Sequence, residues 1–280
     1  MKKVLITYGD KKFEMSKNRF IQNAHAINIF DETIAYSDKD LSEELKQSEI
    51  INEKRGGGLW SWKPDVILTT LNKMEDGDIL VYCDSGCTVY PCNEWNHIWK
   101  SLENHDIIAQ RIYQRTDKWT RKSIIEYFAQ TNSKNWTKCY QHMATAIILK
   151  ATPFTRAFVS EWKDMMISHP EMVKDVTIEE KVNEAECFIE NRHDQAFYSA
   201  LTYKYLNNPT YKNKILTKWE HIEDYDIICP QAIRATRLRN GESKEPPRTK
   251  AKAILKRLVK DYIFRPFFYA PLQMFYMQHK

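Results

Sequence analysis

Short apolar runs alternate with polar, turn-forming stretches along the chain, and their spacing predicts strands interleaved with helices. Val4–Tyr8 reads as a first strand leaving through Gly9-Asp10; a helix follows from a Ser16 cap to about Ala26, then a second strand over Ile27–Ile34. A polar, acidic helix is expected near Leu41–Glu53. Pro64 is placed to open the next helix, because proline costs little where the amide has no intrahelical partner. Apolar positions 66, 67, 68, 71 and 74 give that helix its buried face, and Gly77 ends it. Ile79–Cys83 is a continuous apolar run between Asp76-Gly77-Asp78 and Asp84-Ser85-Gly86, the pattern of a strand covered on both faces. Beyond it the pattern gives helix Cys92–Leu102, strand Ile107–Tyr113, helix Arg121–Ala129, strand Ala144–Leu149, helix Pro153–Ile167 and helix Asp194–Tyr205. Such alternation implies an α/β sandwich with a mixed, mainly parallel sheet flanked by helices.

The pattern changes near the C-terminus. Residues 241–250 (GESKEPPRTK) are polar and turn-rich and read as a linker, which divides the chain into a body at 1–245 and a tail at 246–280. A helix starting at Ala251 carries apolar residues at 251, 254, 255, 258, 259 and 262, with Lys252, Lys256, Arg257 and Lys260 on the remaining faces. Phe264, Phe267, Phe268, Tyr269, Phe275 and Tyr276 follow, among Arg265 and Lys280. Basic residues opposite an apolar stripe suit an anionic membrane surface. The alternative is a helix docked on the body or on a second subunit.

Composition narrows the class. The 280 residues are 42% hydrophobic, enough for a sizeable core, and no run approaches the eighteen apolar residues of a spanning helix. The five-residue apolar run in MKKVLITYGD is too short for a signal peptide. Six cysteines are then expected as reduced thiols, and Cys83, Cys87 and Cys92 lack the CxxC spacing of a zinc site. A net charge of +5, from 42 basic against 37 acidic residues, is mild, and the aromatic residues fall in separate blocks. Both facts weigh against single-stranded nucleic acid as a partner.

Four stretches carry candidate chemistry. Asp84 stands at the carboxyl end of a buried strand, where open α/β sheets place ligands, and Gly86 lets a ligand or backbone approach. The alternative is an Asx-turn at Asp84 with Gly86 supplying a positive φ. In Arg55-Gly56-Gly57-Gly58-Leu59-Trp60-Ser61-Trp62-Lys63, glycine amides can face an anion, Arg55 and Lys63 add charge, and the two tryptophans can form a stacking wall. They can also simply anchor a loop by burial. Arg192-His193-Asp194-Gln195 opens an apolar helix; either its polar groups meet a sugar or metal, or Asp194 caps the helix and His193 is ordinary surface. In WTRKSIIEYF (119–128), Trp119, Thr120 and Lys122 can line the same cleft, whereas Ile124, Ile125 and Phe128 belong to the core.

The order of these blocks, GGGLWSWKP, DGDILVYCDSGC, WTRKSIIEYF and RHDQAFYSAL, resembles the bacterial glycosyltransferases that build capsule, O-antigen and lipo-oligosaccharide, over roughly residues 1–205. The resemblance implies a GT-A, Rossmann-like fold with a DxD-like motif at Asp84-Ser85-Gly86. It implies a donor site containing Tyr8, Arg55, Gly57, Gly58, Trp60, Trp62, Lys63, Asp84, Ser85 and Gly86 for a nucleotide sugar, UDP-linked by preference. Acceptor contacts would come from Trp119, Thr120, Lys122, His193, Asp194 and Gln195, with Asp84 and Asp194 as the catalytic carboxylates. A divalent cation, Mn or Mg, would sit on Asp84 and His193, although Gly86 stands where the motif has its second carboxylate. Departure of a diphosphate needs positive charge, from Arg55, Lys63, that metal or the basic run Arg111–Arg121. If configuration inverts, Asp194 is the expected base; by analogy retention is favoured. The expected setting is cytoplasmic, peripheral on the inner face of the membrane, beside a saccharide or lipid-linked acceptor. A non-catalytic saccharide- or nucleic-acid-binding protein is the competing class.

Overall fold

The structure, a computed structural model, describes residues 1–220, 222, 231–238, 255 and 259. Its strands are β1 (Lys3–Tyr8), β2 (Glu32–Tyr36), β3 (Ile79–Cys83), β4 (Thr88–Val89), β5 (Ile107–Arg115), β6 (Tyr140–His142), β7 (Ala146–Lys150), β8 (Ile215–Trp219) and β9 (Ile233–Arg234). Seven of them form one sheet in the order β2-β1-β3-β7-β5-β6, with β8 also paired to β5, while β4 and β9 form a small ribbon. β1 is parallel to β2 and β3, and β8 is parallel to β5. β7 is antiparallel to β3 and β5, and β6 is antiparallel to β5. β1, β2, β3, β5 and β8 therefore run one way and β6 and β7 the other. The sheet is mixed and mainly parallel, as the sequence pattern predicts.

β3 shows why its sequence is apolar at every position. Leu80 and Tyr82 join a core with Val66, Ile67 and Leu71 of helix Trp62–Leu71, Phe158 and Trp162 of helix Pro153–Ser168, and Phe197 and Leu201 of helix His193–Leu206. Ile79, Val81 and Cys83 face the other way, onto Phe20 of helix Glu14–Ile27 and Trp95, Ile98 and Leu102 of helix Glu94–Asn104. Each fully buried side chain of this size contributes about 1.5–3 kcal/mol by leaving water. A polar residue anywhere in β3 would therefore be costly on either face.

Several elements depart from expectation for identifiable reasons. Asp10, rather than Ser16, starts the first helical segment: its carboxylate accepts the amides of Lys12 and Phe13, and a 3-10 turn runs into helix Glu14–Ile27. Ser16 is buried inside the helix and donates to the Leu238 carbonyl at 3.2 Å. Ile27 ends that helix, with left-handed Asn28 capping it, so β2 begins only at Glu32. The acidic stretch breaks into helix Glu43–Gln47, capped by Ser42, and a 3-10 turn at Glu49–Asn52. Pro64 is the third residue of its helix, still within the first turn where its missing amide goes unmissed. The helix expected over Arg121–Ala129 is the shorter Lys122–Tyr127.

Two features of the sheet shape what lies above it. β6 and β7 are successive segments separated by Met143, Ala144 and Thr145. Across that break Met143 N donates to Gln110 O at 2.8 Å, and Asp84 N donates to Thr145 O at 2.9 Å. Helix Trp62–Leu71 is fixed by buried Asp65, which accepts from Ser42 N at 2.9 Å and pairs with Lys163 at 3.1 Å. Cys83, Cys87, Cys92, Cys139 and Cys187 are free thiols. The expected linker and tail lie outside the described residues, except Leu255 and Val259, which are helical and exposed. Among the described residues no helix is long and apolar enough to cross a membrane.

Candidate active site

A cavity of about 810 Å³ opens over the carboxyl ends of β1, β3 and β5. Tyr8-Gly9-Asp10 leave β1, Asp84–Cys87 leave β3, and Ile112, Tyr113 and Gln114 come from β5. Met143, Ala144 and Thr145, the interruption between β6 and β7, line it from below. The glycine-rich turn and the start of helix His193–Leu206 line it next to one another.

The glycines make a left-handed turn. φ is positive at Gly56 (61°), Gly57 (58°), Gly58 (91°), Leu59 (53°) and Trp60 (61°). Left-handed backbone costs a residue with a Cβ about 1–2 kcal/mol, and glycine escapes it. A Cβ on Gly56 would also lie 2.5 Å from the Trp60 ring. The amides are used inside the turn: Gly58 N donates to Glu53 O at 2.7 Å, Leu59 N to Arg55 O at 2.8 Å and Trp60 N to Gly56 O at 3.3 Å. The Gly58 amide is therefore committed inside the turn instead of to an anion, which corrects the sequence expectation for that residue, while Gly57 N reaches Lys54 O at 3.5 Å. Gly57 lines the cavity and Gly58 lies behind it.

What the turn achieves is aromatic placement. Trp62 is buried, donates its indole N–H to Gly56 O at 2.8 Å, and stacks on Tyr8 with ring centroids 4.1 Å apart. The Tyr8 hydroxyl donates to Asp38. Trp60 packs on His193, centroids 5.0 Å apart. The tryptophans are both packed anchors and cavity wall.

Next to Trp62, Lys63 carries the most unusual electrostatics. Its Nζ lies 2.7 Å from Asp194 Oδ2 and 3.5 Å from Asp84 Oδ1, and only 4% of its side chain is exposed. Tyr82 donates to the same Asp84 oxygen at 2.6 Å. Asp194 is 8% exposed and Asp84 35%, open towards the cavity. Burial alone would lower the Lys63 pKa, but the two carboxylates outweigh it and raise it. For Asp84, burial wins over Lys63 and Tyr82, so its pKa is raised. Burial, then Asp84, pushes the Tyr82 phenol well above its usual value. Asp194 does not cap its helix; its carboxylate belongs to Lys63, and its carbonyl accepts from the Trp162 indole at 3.1 Å.

A second charged group surrounds His193. His193 has φ 47°, left-handed and unusual outside glycine, and is 3% exposed. Its Nε2 faces Asp175 Oδ1 at 3.1 Å, and Asp175 also pairs with Arg55. Burial lowers the His193 pKa against the pull of Asp175 and Asp194. Burial would raise that of Asp175, but Arg55 and His193 bring it below the carboxylate norm. Arg55 reaches Glu190 at 3.3 Å, as does Arg192 at 3.4 Å.

Gln195 lines the cavity with its amide fixed: Nε2 donates to Gln114 Oε1 at 2.9 Å and to Gln141 Oε1 at 2.7 Å. Gln141 in turn donates to Trp119 O and to Thr120 Oγ1, both at 2.8 Å. Thr120 is thus buried behind Gln195, the Trp119 ring carries the Arg192 guanidinium at 4.4 Å, and Lys122 is exposed and pairs with Glu126 at 3.7 Å. None of Trp119, Thr120 and Lys122 lines the cavity. The basic run also turns away: Arg111 stacks over Trp219 at 5.0 Å, Arg115 pairs with Asp117 at 2.7 Å, and Arg121 pairs with Glu180 at 3.3 Å.

Asp84–Cys87 is a turn, closed by Cys87 N on Asp84 O at 2.9 Å, but Gly86 does not give it the positive φ expected there. The Gly86 carbonyl accepts from Thr236 Oγ1 at 2.9 Å and Leu238 N at 3.3 Å, and a Cβ there would sit 3.4 Å from Arg237 Cα. The second carboxylate of a DxD motif would meet that passing segment. The donor set does not fit a resident divalent cation. Asp84 Oδ1 is engaged by Tyr82 and Lys63, Asp194 is closed by Lys63, and His193 Nε2 faces Asp175. Among the described residues no three His, Cys, Asp or Glu gather as ligands.

Sequence reasoning missed Lys12 and Asp10, although Gly9-Asp10 leaves a strand at its carboxyl end, where the open-sheet rule applies. Lys54, adjoining the glycine cluster, carried a similar signal. Gln114, Gln141 and Asp175 carried none.

No protein-family model matches the chain, and no curated protein matches it by sequence. Among solved structures, it is similar to the galactosyltransferase LgtC in complex with donor and acceptor sugar analogs: 10% identity, TM-score 0.42, over 92% of this chain and 94% of that one. A glycosyltransferase involved in glycosylation of the major capsid of PBCV-1 matches at 10% identity and TM-score 0.43, over 81% of this chain and 84% of that one. The glycosyltransferase GlyE of Streptococcus pneumoniae matches at 10% identity and TM-score 0.42, over 81% of this chain but 47% of its own length. Overlaps this low carry no functional weight; what the site can do depends on its own geometry.

Proposed function

We propose that the protein is a GT-A-type glycosyltransferase that moves a sugar from a nucleoside-diphosphate sugar to a saccharide hydroxyl. The observation that carries this reading is the joining of Asp84 and Asp194 through one buried lysine in a large cavity at the carboxyl ends of parallel strands. The open carboxylate of Asp84 beside an aromatic wall suits a sugar: the ring's apolar face packs on the tryptophan wall, and its hydroxyls meet carboxylate and amide oxygens. As the diphosphate leaves, the anomeric carbon becomes oxocarbenium-like, and nearby carboxylate charge stabilises it. The oriented Gln195 amide turns its N–H bonds to Gln114 and Gln141, which leaves its carbonyl oxygen to accept from a ligand.

Asp194 is held 2.7 Å from an ammonium and almost fully buried, an arrangement that fixes a charge more than it frees a base. It supports retention of configuration over inversion. The donor we favour is UDP-linked, and the acceptor is a saccharide or lipid-linked saccharide of a cell-surface polysaccharide. The basic, amphipathic sequence at 251–262 supports placement at the inner face of the cytoplasmic membrane. The test is a screen of nucleotide sugars, with and without manganese, for binding and slow hydrolysis. One turned-over donor is the expected result; neither binding nor hydrolysis with any donor would end the enzyme reading.

A further inference from the structure

We infer that Lys63 holds the position a metal would take between Asp84 and Asp194, and that the donor diphosphate is bound by the side chains of Lys12 and Lys54 instead. The inference rests on the glycosyltransferase reading and deepens it. Lys63 Nζ is within 2.7 and 3.5 Å of oxygens from both carboxylates and is almost sealed from solvent. A divalent cation serving Asp84 would have to displace that ammonium or approach it in a poorly screened environment. Lys63 cannot leave cheaply, because its departure leaves two carboxylates together with no counter-charge.

Without a metal the diphosphate needs other positive charge, and the cavity wall supplies it. Lys12, Lys54, Arg55, Lys63, Arg192 and Arg237 line the cavity against Asp10, Asp84, Asp194 and Glu220, six positive charges to four negative. Lys63 is committed to Asp84 and Asp194, while Arg55 and Arg192 share Glu190. Among the described residues, Lys12 and Lys54 make no ion pair. They sit on adjoining segments of the rim: Asp10 Oδ2, two residues from Lys12, lies 3.9 Å from where a Gly57 Cβ would stand. Flexible ammonium groups at a cavity mouth can close on phosphate oxygens as point charges.

The experiment measures binding of UDP, GDP, CDP and ADP to the full chain, in EDTA and in manganese. The expected result is one nucleoside diphosphate whose affinity changes less than about twofold between the conditions and falls about tenfold or more in Lys12→Ala/Lys54→Ala. A tenfold or greater loss in EDTA, or full affinity in the double variant, overturns the inference and leaves the glycosyltransferase reading standing. No binding of any nucleoside diphosphate in either condition overturns both. A second arm titrates Mn²⁺ alone, followed by electron paramagnetic resonance and thermal unfolding. Lys63→Ala should take up Mn²⁺ and gain thermal stability from it, whereas the unmodified protein should do neither. Should Lys63→Ala fail to fold, the unmodified protein still decides, since tight Mn²⁺ uptake without nucleotide contradicts the inference.

Discussion

Two charged groups face the same cavity and differ in almost every physical respect. At the inner end, Lys63, Asp84 and Asp194 sit where water barely reaches the ammonium. At the rim, Arg55, Asp175 and Glu190 are each more than a third exposed or close to it, and only His193 in that group is buried. Similar charges therefore have different consequences. The inner group cannot lose its cation without stranding the buried Asp194 carboxylate. The rim group can, because water and salt screen what remains.

The sharpest way to break this contrast is to remove the shared ammonium. Lys63→Met should cost about 3–5 kcal/mol of stability, as expected for an uncompensated buried charge, and abolish turnover. Denaturant unfolding measures the first effect. An unchanged midpoint would show that the inner group is no more coupled than the rim. Asp194→Asn keeps the shape and removes one charge, and should lower kcat by about 10²–10³ while KM for the donor changes little. Steady-state kinetics on the identified donor check this; a change confined to KM would move Asp194 into ground-state binding.

A pH experiment tests burial itself. His142 is fully buried in the sheet near Arg111 and Tyr203, and burial, with Arg111 adding to it, pushes its pKa down to about 3 from 6.5. The unfolded chain therefore binds a proton that the folded chain refuses between those values. The stability this group contributes is full above about pH 6.5 and is lost as pH falls towards 3, by an amount on the order of 4 kcal/mol. Unfolding midpoints across that range should slope downward with acid, and His142→Gln should flatten part of the slope. The smallest effect is expected at the rim. Arg55→Ala should cost no more than about 1 kcal/mol, and any change in donor KM should shrink in high salt.

The sequence made the inner end legible in halves and the joining invisible. Asp84 stood out because it ends five apolar residues in a row, a pattern only a doubly covered strand explains. Asp194 stood out because polar residues open an apolar helix. That Lys63 joins them is a contact across 131 residues, which no local pattern encodes. Lys63 accordingly read as a free phosphate ligand. The alternation of strands and helices was legible for β1, β3, β5 and β7. β8 (ILTKW) was not, since it borders the sheet with mixed polar positions, and β6 is only three residues long. The glycine cluster announced unusual backbone but not its hand or use. Only the structure shows that the amides of Gly58, Leu59 and Trp60 close on the turn and that the product of the turn is aromatic placement.

The proposal that glycosyl transfer takes place at Asp84 stands or falls on turnover of the identified nucleotide sugar, measured for the unmodified protein and for Asp84→Asn side by side. The unmodified protein should release nucleoside diphosphate, and Asp84→Asn should lose about a hundredfold or more of that rate at an unchanged unfolding midpoint. Equal turnover by both proteins would contradict the proposal.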